Sequence, residues 1–214
     1  MRRPQRYGWA ASAYDVISLE WPVYRVGRVA GVDALALQAG DRVIDIGCGT
    51  GLSLPLLRRA VGPAGRVVGL DASPTMLRQA SRRVQRGGWD NVDLVRGDAT
   101  EMTTDALRGR CVGSDETRVD ALIFIYSLSL MKPWQGAWGR ALASAGPGAR
   151  FAVVDLAEPT GAARSWVPLA KLACRIGGAD ITAHPWTAVE RDLTNVTSVS
   201  LRGGHIQVRA GTLP

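Results

Sequence analysis

The sequence predicts an α/β protein with one doubly wound, seven-stranded and mostly parallel sheet that ends in an antiparallel hairpin. Three observations support this fold class. From residue 41 onward, short apolar segments alternate with segments of helix length, which is typical of a parallel sheet with crossover helices. A glycine-rich turn follows the first apolar segment. The last apolar segments alternate with a period of two around Gly203 and Gly204, which predicts the hairpin.

The first 38 residues predict amphipathic helices, because Tyr14, Ile17, Trp21 and Tyr24 recur at spacings of three or four and Pro22 separates two of them. Five apolar segments then predict the parallel strands, at residues 42–46, 66–71, 92–97, 121–126 and 149–155. The segments between them predict crossover helices, at residues 53–61, 74–87 and 135–145. A less regular helical region is expected from residue 159 to 190, and the hairpin from 196 to 208.

Composition narrows the class of protein further. A chain of 214 residues with 46% apolar and 21% charged residues fits one globular domain, and no apolar stretch is long enough to span a membrane. Cys48, Cys111 and Cys174 are too far apart for a disulfide framework or a zinc motif. Without a signal-peptide pattern, we expect a cytoplasmic protein. The net charge of +7 leaves a polyanion, an anionic membrane surface or an anionic substrate open as partners.

The glycine-rich turn at Gly47, Gly49 and Gly51 follows a strand that carries Asp45 near its end. Glycine places no Cβ in the way of a ligand lying on the backbone, and the following helix is expected to offer unpaired N–H groups. The sequence therefore predicts a nucleoside-bearing ligand at this turn. The dinucleotide fingerprint requires glycine or alanine where this chain has Leu52, so NAD is the second choice.

Two further acids follow the next two strands. Asp71 lies 20 residues after Gly51, where a carboxylate can accept both ribose hydroxyls, and Asp98 is placed to accept an adenine amino proton. Because open α/β sheets bind ligands at the carboxyl ends of their strands, all three acids are expected at one edge. Met76, near the start of a helix, either lies on an adenine face or belongs to the core.

Three segments carry a family resemblance. DIGCGTG at 45–51, VVGLDASPTML at 67–77 and RGDA at 96–99 resemble, in order and spacing, motifs of the class I S-adenosylmethionine-dependent methyltransferases. The resemblance covers about residues 10 to 157. Within that superfamily, Gly27-Arg28, the segment 88–92 and the hairpin at Arg202 are most similar to small UbiE/COQ5-type enzymes. Among those, the chain resembles bacterial phospholipid or betaine-lipid N-methyltransferases.

The resemblance implies a Rossmann-like methyltransferase fold over residues 1–214, with S-adenosyl-L-methionine as cofactor and S-adenosyl-L-homocysteine as product. It divides the chain into a helical cap (1–38), a cofactor-binding core (39–157) and an acceptor-side region with the hairpin (158–214). The implied cofactor-binding residues are Tyr14, Arg28, Asp45, Gly47, Cys48, Gly49, Asp71, Ala72, Met76, Asp98, Ala99 and Tyr126.

The implied roles follow the parts of the cofactor. Asp45 and the backbone of residues 47–49 surround the methionine moiety, and Tyr14 closes over it. Arg28 either pairs with the cofactor carboxylate or is an exposed arginine without a role. Asp71 holds the ribose, and the remaining residues lie beside or at the edge of the adenine. The Cys48 thiol is expected to be a small packed group rather than a nucleophile. No metal site is expected.

On the acceptor side, methyl transfer from a sulfonium needs alignment and exclusion of water more than it needs a base. Tyr126 ends the fourth strand and is predicted to lie where donor and acceptor meet. His184 is the candidate base, with a plain loop residue as the alternative. His205 is expected to pack or to lie on the surface, and Asp155 is expected to cap a turn rather than neutralise a cationic acceptor.

The acceptor is expected to be a small molecule or a lipid. A phospholipid head-group amine comes first, a quinone-like ring carbon or phenolic oxygen second, and an RNA base third. Tryptophans on the arginine-bearing N-terminal segment and a basic helical segment at 166–176 suit peripheral contact with an anionic membrane. Core packing of the tryptophans and an ordinary covering helix are the alternatives. A nucleic-acid partner is not expected, because no basic-aromatic stacking motif is present. The alternative from another class is a non-catalytic partner protein that binds S-adenosylmethionine. The oligomeric state is not predicted.

Overall fold

The computed structural model of the chain describes residues 24–105, 119–178 and 180–214. The predicted helical cap therefore falls mostly outside the described residues, and its last part is a helix. The helices in the described ranges are α1 (Arg25–Ala34), α2 (Leu54–Val61), α3 (Pro74–Gly87), α4 (Trp134–Ser144), α5 (Val167–Gly177) and α6 (Thr187–Asp192). The strands there are β1 (Arg42–Ile46), β2 (Arg66–Asp71), β3 (Val92–Arg96), β4 (Ala121–Ile125), β5 (Arg150–Leu156), β6 (Thr194–Leu201) and β7 (Ile206–Thr212).

The seven strands form one sheet in the order β3-β2-β1-β4-β5-β7-β6. Strands β1 to β5 pair in parallel, whereas β7 pairs antiparallel with both β5 and β6. This confirms the predicted sheet and its closing hairpin. The chain winds from β1 outward to β3 and then crosses to β4 on the other side of β1. The strand order therefore reverses between β1 and β4, which is where open sheets of this kind bind ligands.

Most predicted boundaries differ from the observed ones by one or two residues, and some differences have a clear cause. The fourth strand stops at Ile125 because Tyr126 has a φ angle of 53°, outside the extended region. The hairpin strands are longer than predicted, since β7 pairs with β5 from Ile206 to Thr212. Strand β7, where the sequence alternates with a period of two, therefore has a neighbouring strand on each side.

The core lies in two layers, one on each face of the sheet. Strand β4 shows the alternation, since Phe124 packs into the layer that holds Trp138 and Phe151, whereas Ile123 packs into the opposite layer. Helices α4 and α6 cover the first layer, and α1, α2 and α3 cover the second. The central strands β1, β4 and β5 are buried on both faces, which explains their nearly continuous runs of apolar residues. No helix in the described ranges is both long and apolar enough to cross a bilayer.

Helix α1 lies directly against the sheet because glycines face it. A Cβ at Gly31 would overlap the side chain of Val154 in β5, and a Cβ at Gly27 would overlap the Tyr126 hydroxyl. The two glycines are four residues apart and lie on the same face of the helix. The sequence analysis treated Gly27 only as part of a family resemblance. The structure gives it a packing role that brings α1 close to the carboxyl end of β4.

We predict that Gly31→Ala lowers the free energy of unfolding by about 1–3 kcal/mol, because the added methyl group meets an incompressible core. Gly139→Ala is the matched control. Gly139 is an exposed helical glycine in α4, and a Cβ there would meet nothing within 4 Å. The control should stabilise the protein by up to about 1 kcal/mol, since alanine is the better helix former. Urea denaturation of both variants measures the effect, and equal stability of the two would contradict the packing role.

Candidate active site

The predicted ligand edge lies where β1 and β4 end side by side. Asp45 is the fourth residue of β1, and Ser127 follows β4. The Ser127 hydroxyl donates a hydrogen bond to the carbonyl of Ile46 (2.7 Å), which fixes the two strand ends against each other. A Cβ at Gly47 would lie 2.5 Å from the Ser127 Cβ. Glycine is therefore required at position 47 for contact with Ser127.

The glycines of the turn have different roles, which corrects the expectation that all of them clear space for a ligand. At Gly51, a Cβ would lie 2.7 Å from Leu54 and 3.2 Å from Ala80, so this glycine allows α2 and α3 to pack. At Gly49, a Cβ would meet nothing within 4 Å, and the φ angle is 57°. Only Gly49 therefore faces open space. Gly47 and Gly51 serve the packing of the protein itself.

The N–H groups at the start of this turn are taken by the neighbouring strand β2. The N–H groups of Gly47 and Cys48 both donate to the carbonyl of Leu70 in β2, at 2.7 and 3.0 Å. The N–H group of Gly49 donates to a carboxylate oxygen of Asp71 (2.8 Å). The prediction concerned the start of α2, where Pro55 has no N–H group and the N–H groups of Leu54 and Leu56 donate to the carbonyls of Gly51 and Ser53. The turn is held rigidly by its neighbouring strand before any ligand is considered.

Asp71 joins the glycine-rich turn to the start of α3. One of its oxygens accepts the Gly49 N–H, and the other accepts the Ser73 N–H (2.8 Å). Burial raises the pKa of the Asp71 carboxyl, and these two hydrogen bonds oppose the rise. Each carboxylate oxygen has a second lone pair, so Asp71 can still accept hydroxyl groups. Its predicted ribose contact stays a prediction beside a structural role that the sequence analysis missed.

Asp45 is the most unusual group at this edge. Its side chain is 1% exposed, and its Oδ2 atom has no hydrogen-bond partner among the described residues. Burial raises the pKa of Asp45 to about 7, with a smaller rise from the charge of Asp71. The charge of Arg28 and a hydrogen bond from Ser53 act in the opposite direction. A buried carboxylate oxygen without a donor is unfavourable, and a cationic or N–H-bearing ligand would satisfy it.

Arg28 reaches this edge from helix α1 and is 9% exposed. Its Nη1 atom donates to the Ser53 hydroxyl (2.9 Å), and its guanidinium carbon lies 5.7 Å from the centre of the Tyr126 ring. The alternative of an exposed arginine without contacts is therefore wrong. The predicted pairing of Arg28 with a cofactor carboxylate stays a prediction.

The residues predicted to surround an adenine lie beyond Asp71. One oxygen of Asp98 accepts both the N–H and the hydroxyl of Thr100, at 2.9 and 2.7 Å, which fixes the loop after β3. Ala99 and Met76 are 6% and 5% exposed, whereas Ala72 is exposed. Within the described part of the chain, Met76 belongs to neither of the two core layers. It is buried in the first turn of α3, and its predicted adenine contact stays a prediction.

The cysteines behave as packing groups. The Cys48 thiol packs against Gly69, where a Cβ would come within 2.9 Å of its sulfur atom. Burial raises the pKa of Cys48, so the thiol stays protonated. Cys48 and Cys174 are free and buried, while Cys111 and the predicted cofactor residue Tyr14 lie outside the described residues.

Tyr126 connects the end of β4 to the start of α1. Its hydroxyl donates to the carbonyl of Tyr24 (2.9 Å), and the two rings meet edge to face at 5.3 Å. His205 lies 6.3 Å from the Tyr24 ring and is 9% exposed, and its Nδ1 atom makes a 2.7 Å hydrogen bond to the carbonyl of Ala157. His205 therefore packs in the interior, one of the two expected outcomes. A catalytic role for Tyr126 stays a prediction.

His184 lies elsewhere on the acceptor side. It is exposed, has a φ angle of 45°, and its ring lies 4.8 Å from that of Trp186. Asp180 has a lowered pKa, chiefly through hydrogen bonds from Thr182 and less through the charges of Lys132 and His184. His184 comes directly after Ala183, which lines a groove of about 400 Å³. His184 itself does not line this groove. The groove is lined by Ser129, Met131, Lys132, Pro133, Trp134, Gln135, Asp180, Thr182 and Ala183.

Asp155 supports one wall of this groove. It is 1% exposed, and its oxygens accept the N–H (3.0 Å) and hydroxyl (2.8 Å) of Ser129 and the N–H of Leu156 (2.9 Å). Burial raises the pKa of Asp155 to about 6. It does cap a turn, as expected, but the turn follows β4 rather than β5. The sequence analysis missed Ser129 and Ser53, since buried serines have no distinguishing pattern.

Comparison with known proteins agrees with this geometry. Residues 43–133 match the family model Methyltransf_25, described as a methyltransferase domain. The chain is 33% identical over 91 residues to a demethylmenaquinone methyltransferase of Staphylococcus carnosus, covering 42% of this chain and 36% of that protein. It is 46% identical over 54 residues to an uncharacterized 37.1 kDa protein in transposon TN4556 of Streptomyces fradiae, covering 25% of this chain and 16% of that protein. The matched segments thus span about a third or less of these relatives' lengths.

A solved structure extends the likeness in fold to the whole chain. The structure of a SAM-dependent methyltransferase from Aquifex aeolicus superposes with a TM-score of 0.62 at 16% identity, covering 97% of this chain and 100% of that one. Residues 43–133 therefore match a methyltransferase domain, and the chain has the Rossmann-like methyltransferase fold of that solved structure.

Proposed function

We propose that the protein transfers a methyl group from S-adenosylmethionine to a small-molecule acceptor at the carboxyl edge of β1 and β4. The observation that carries this proposal is the buried Asp45 carboxylate, whose Oδ2 atom has no partner among the described residues. Gly49 faces open space in the same turn. A carboxylate beside a turn that is open at Gly49 fits the ammonium group of an amino-acid moiety better than it fits a phosphate.

We assign the residues at this edge to successive parts of the cofactor. Asp45 would accept the ammonium group, and Asp71 the ribose hydroxyls through the lone pairs that its two backbone contacts leave. Met76 and Ala99 would line the adenine, with Asp98 at its edge. When bound, S-adenosylmethionine supplies a methyl group on a sulfonium, which is already an activated leaving group.

The protein itself contributes position and exclusion of water. The turn is fixed by its hydrogen bonds to β2, and the end of β4 is fixed by the Ser127 bond to β1. An acceptor entering from the β4 side would therefore meet a donor held in one orientation. We assign Tyr126 to the junction of donor and acceptor and His184 to a proton-accepting position on the acceptor side. These two roles belong to the proposal.

For the acceptor we propose a quinone-like or phenolic ring. The support is the similarity to a demethylmenaquinone methyltransferase and the composition of the groove beside β4. Met131, Pro133 and Trp134 offer flat apolar contacts, and Lys132 offers a cation for a ring oxygen. The sequence analysis placed a lipid head-group amine first, and the comparisons give that choice no support.

A lipid acceptor remains the second candidate because of helix α5. Leu169 and Leu172 are 56% and 55% exposed, three residues apart on one face. Arg164 and Lys171 are exposed nearby in the chain, and Lys171 pairs with Glu158. Exposed leucines with basic neighbours suit a peripheral contact with an anionic membrane.

We expect the purified protein, incubated with isotope-labelled S-adenosylmethionine, to label quinone-like or phenolic compounds in a lysate. Mass spectrometry of the separated fractions measures the transfer, and His184→Gln should slow it with little change in cofactor binding. Label confined to phospholipid head groups would favour the second candidate. Binding of S-adenosylhomocysteine without transfer to any fraction would favour a non-catalytic binding protein and contradict the proposal.

Asp71→Ala is expected to weaken S-adenosylhomocysteine binding by about 1–3 kcal/mol, because it removes a charged hydrogen-bond acceptor and frees the Gly49 N–H. Isothermal titration calorimetry measures the loss. The control is Asp93→Asn, which removes an exposed ion pair with Arg66 on β2. Unchanged affinity in the Asp71 variant would contradict the ribose assignment.

Cofactor affinity should fall as the pH is lowered through about 7, the pKa of Asp45. The ammonium group needs the ionised carboxylate, and protonation removes that form, so the affinity is lost on the acid side. Between about pH 8 and about pH 6 we expect roughly a tenfold loss for S-adenosylhomocysteine. Methylthioadenosine lacks the ammonium group and should show little change. Equal pH dependence of the two ligands would count against Asp45 as the ammonium partner.

A further inference from the structure

A buried chain of three polar side chains connects helix α1 to the end of β1. The Arg28 guanidinium donates to the Ser53 hydroxyl (2.9 Å), and a hydrogen bond from Ser53 lowers the pKa of the Asp45 carboxyl. Ser53 and Asp45 are each 1% exposed, and Arg28 is 9% exposed. These contacts leave the Oδ2 atom of Asp45 without a partner among the described residues. The buried Oδ2 atom is thus the carboxylate oxygen of Asp45 that a ligand could satisfy.

Ser53 occupies the position before α2 where a serine ordinarily caps its own helix. It makes no side-chain cap hydrogen bond, and its backbone angles (φ −82°, ψ −26°) are helical rather than extended. Ser73, at the equivalent position before α3, is extended and accepts the Met76 N–H (3.4 Å). The local conformation at Ser53 thus releases its hydroxyl from capping and makes it available to Arg28 and Asp45.

We propose that Ser53 is a positioning residue of the cofactor site, which holds one oxygen of Asp45 so that the other is presented to the ammonium group of the methyl donor. This inference rests on the proposed function. Ser53 accepts one hydrogen bond and donates another, a combination that a hydroxyl can provide and a methyl group cannot. Arg28 orients the hydroxyl, so α1 takes part in shaping the site without touching the ammonium group.

The charges that face Asp45 come from three elements. Arg28 of α1 lowers the pKa of Asp45, Asp71 of β2 raises it, and the neighbouring Cys48 thiol is neutral because its own pKa is raised. The Ser53 hydrogen bond lowers the pKa of Asp45. Without Ser53, the ionised form of Asp45 becomes less favourable and its carboxylate is free to rotate. Both effects weaken binding of an ammonium group and leave the adenosine half of the ligand unaffected.

The test compares two ligands in Ser53→Ala and in the wild-type protein. We expect S-adenosylhomocysteine to bind about tenfold more weakly to the variant at neutral pH, with methylthioadenosine unchanged. The midpoint of the pH dependence should move to higher pH, and Ser53→Thr should restore it. Ser144→Ala is the matched control, because Ser144 is equally buried and its hydroxyl donates to the carbonyl of Ala141 within α4.

The outcomes separate this inference from the proposed function. If the wild-type protein binds S-adenosylhomocysteine and Ser53→Ala weakens both ligands equally at every pH, or neither, the positioning role is overturned. If the wild-type protein binds neither ligand, the proposed function itself fails. Ser53→Cys keeps the branching of serine with a slightly larger atom that hydrogen-bonds weakly. Its pH midpoint should therefore move in the same direction, which gives the readout if the alanine variant does not fold.

Discussion

The site depends on one constraint, the burial of the Asp45 carboxylate of β1 near Arg28 of helix α1. An ionised group without full hydrogen bonding is costly in a protein interior, and here the cost is reduced by Arg28 and Ser53 but not removed. The Oδ2 atom of Asp45, at the edge of a rigid turn, still has no hydrogen-bond partner among the described residues, which is unfavourable. A ligand that brings a cation to this atom relieves it. A ligand that supplies the missing partner of this oxygen atom therefore gains binding free energy from that contact.

Rigidity around this carboxylate comes from backbone hydrogen bonds and close packing. Strand β2 accepts two N–H groups of the turn through Leu70, and Asp71 accepts a third from Gly49. Gly31 allows α1 to approach β5, and that approach places Arg28 beside the turn. The positive charge near Asp45 therefore depends on the close packing of Gly31, one helical turn away from Arg28. A substitution that lifts α1 from the sheet would also remove the cation from Asp45.

The strands and the edge that holds Asp45, Asp71 and Asp98 could be predicted because chain direction and hydrophobic period determine them. Parallel strands place their carboxyl ends together, whatever the packing around them. The free or paired state of the turn's N–H groups could not be predicted, since it depends on the register between β1 and β2. Ser53 was missed for a similar reason. A serine before a helix predicts a cap, and only its helical backbone angles in the structure show otherwise.

Strand β7 follows β6 in the chain but lies between β6 and β5 in the sheet. Because of this order, β6 cannot join the sheet until β7 has been synthesised. On the ribosome, the parallel strands emerge first, and β5 then carries an unpaired edge with hydrogen-bonding groups exposed to other chains. Folding of the nascent protein is therefore completed late. A translational stall before residue 206 would leave β5 with an unpaired, aggregation-prone edge beside a nearly complete core.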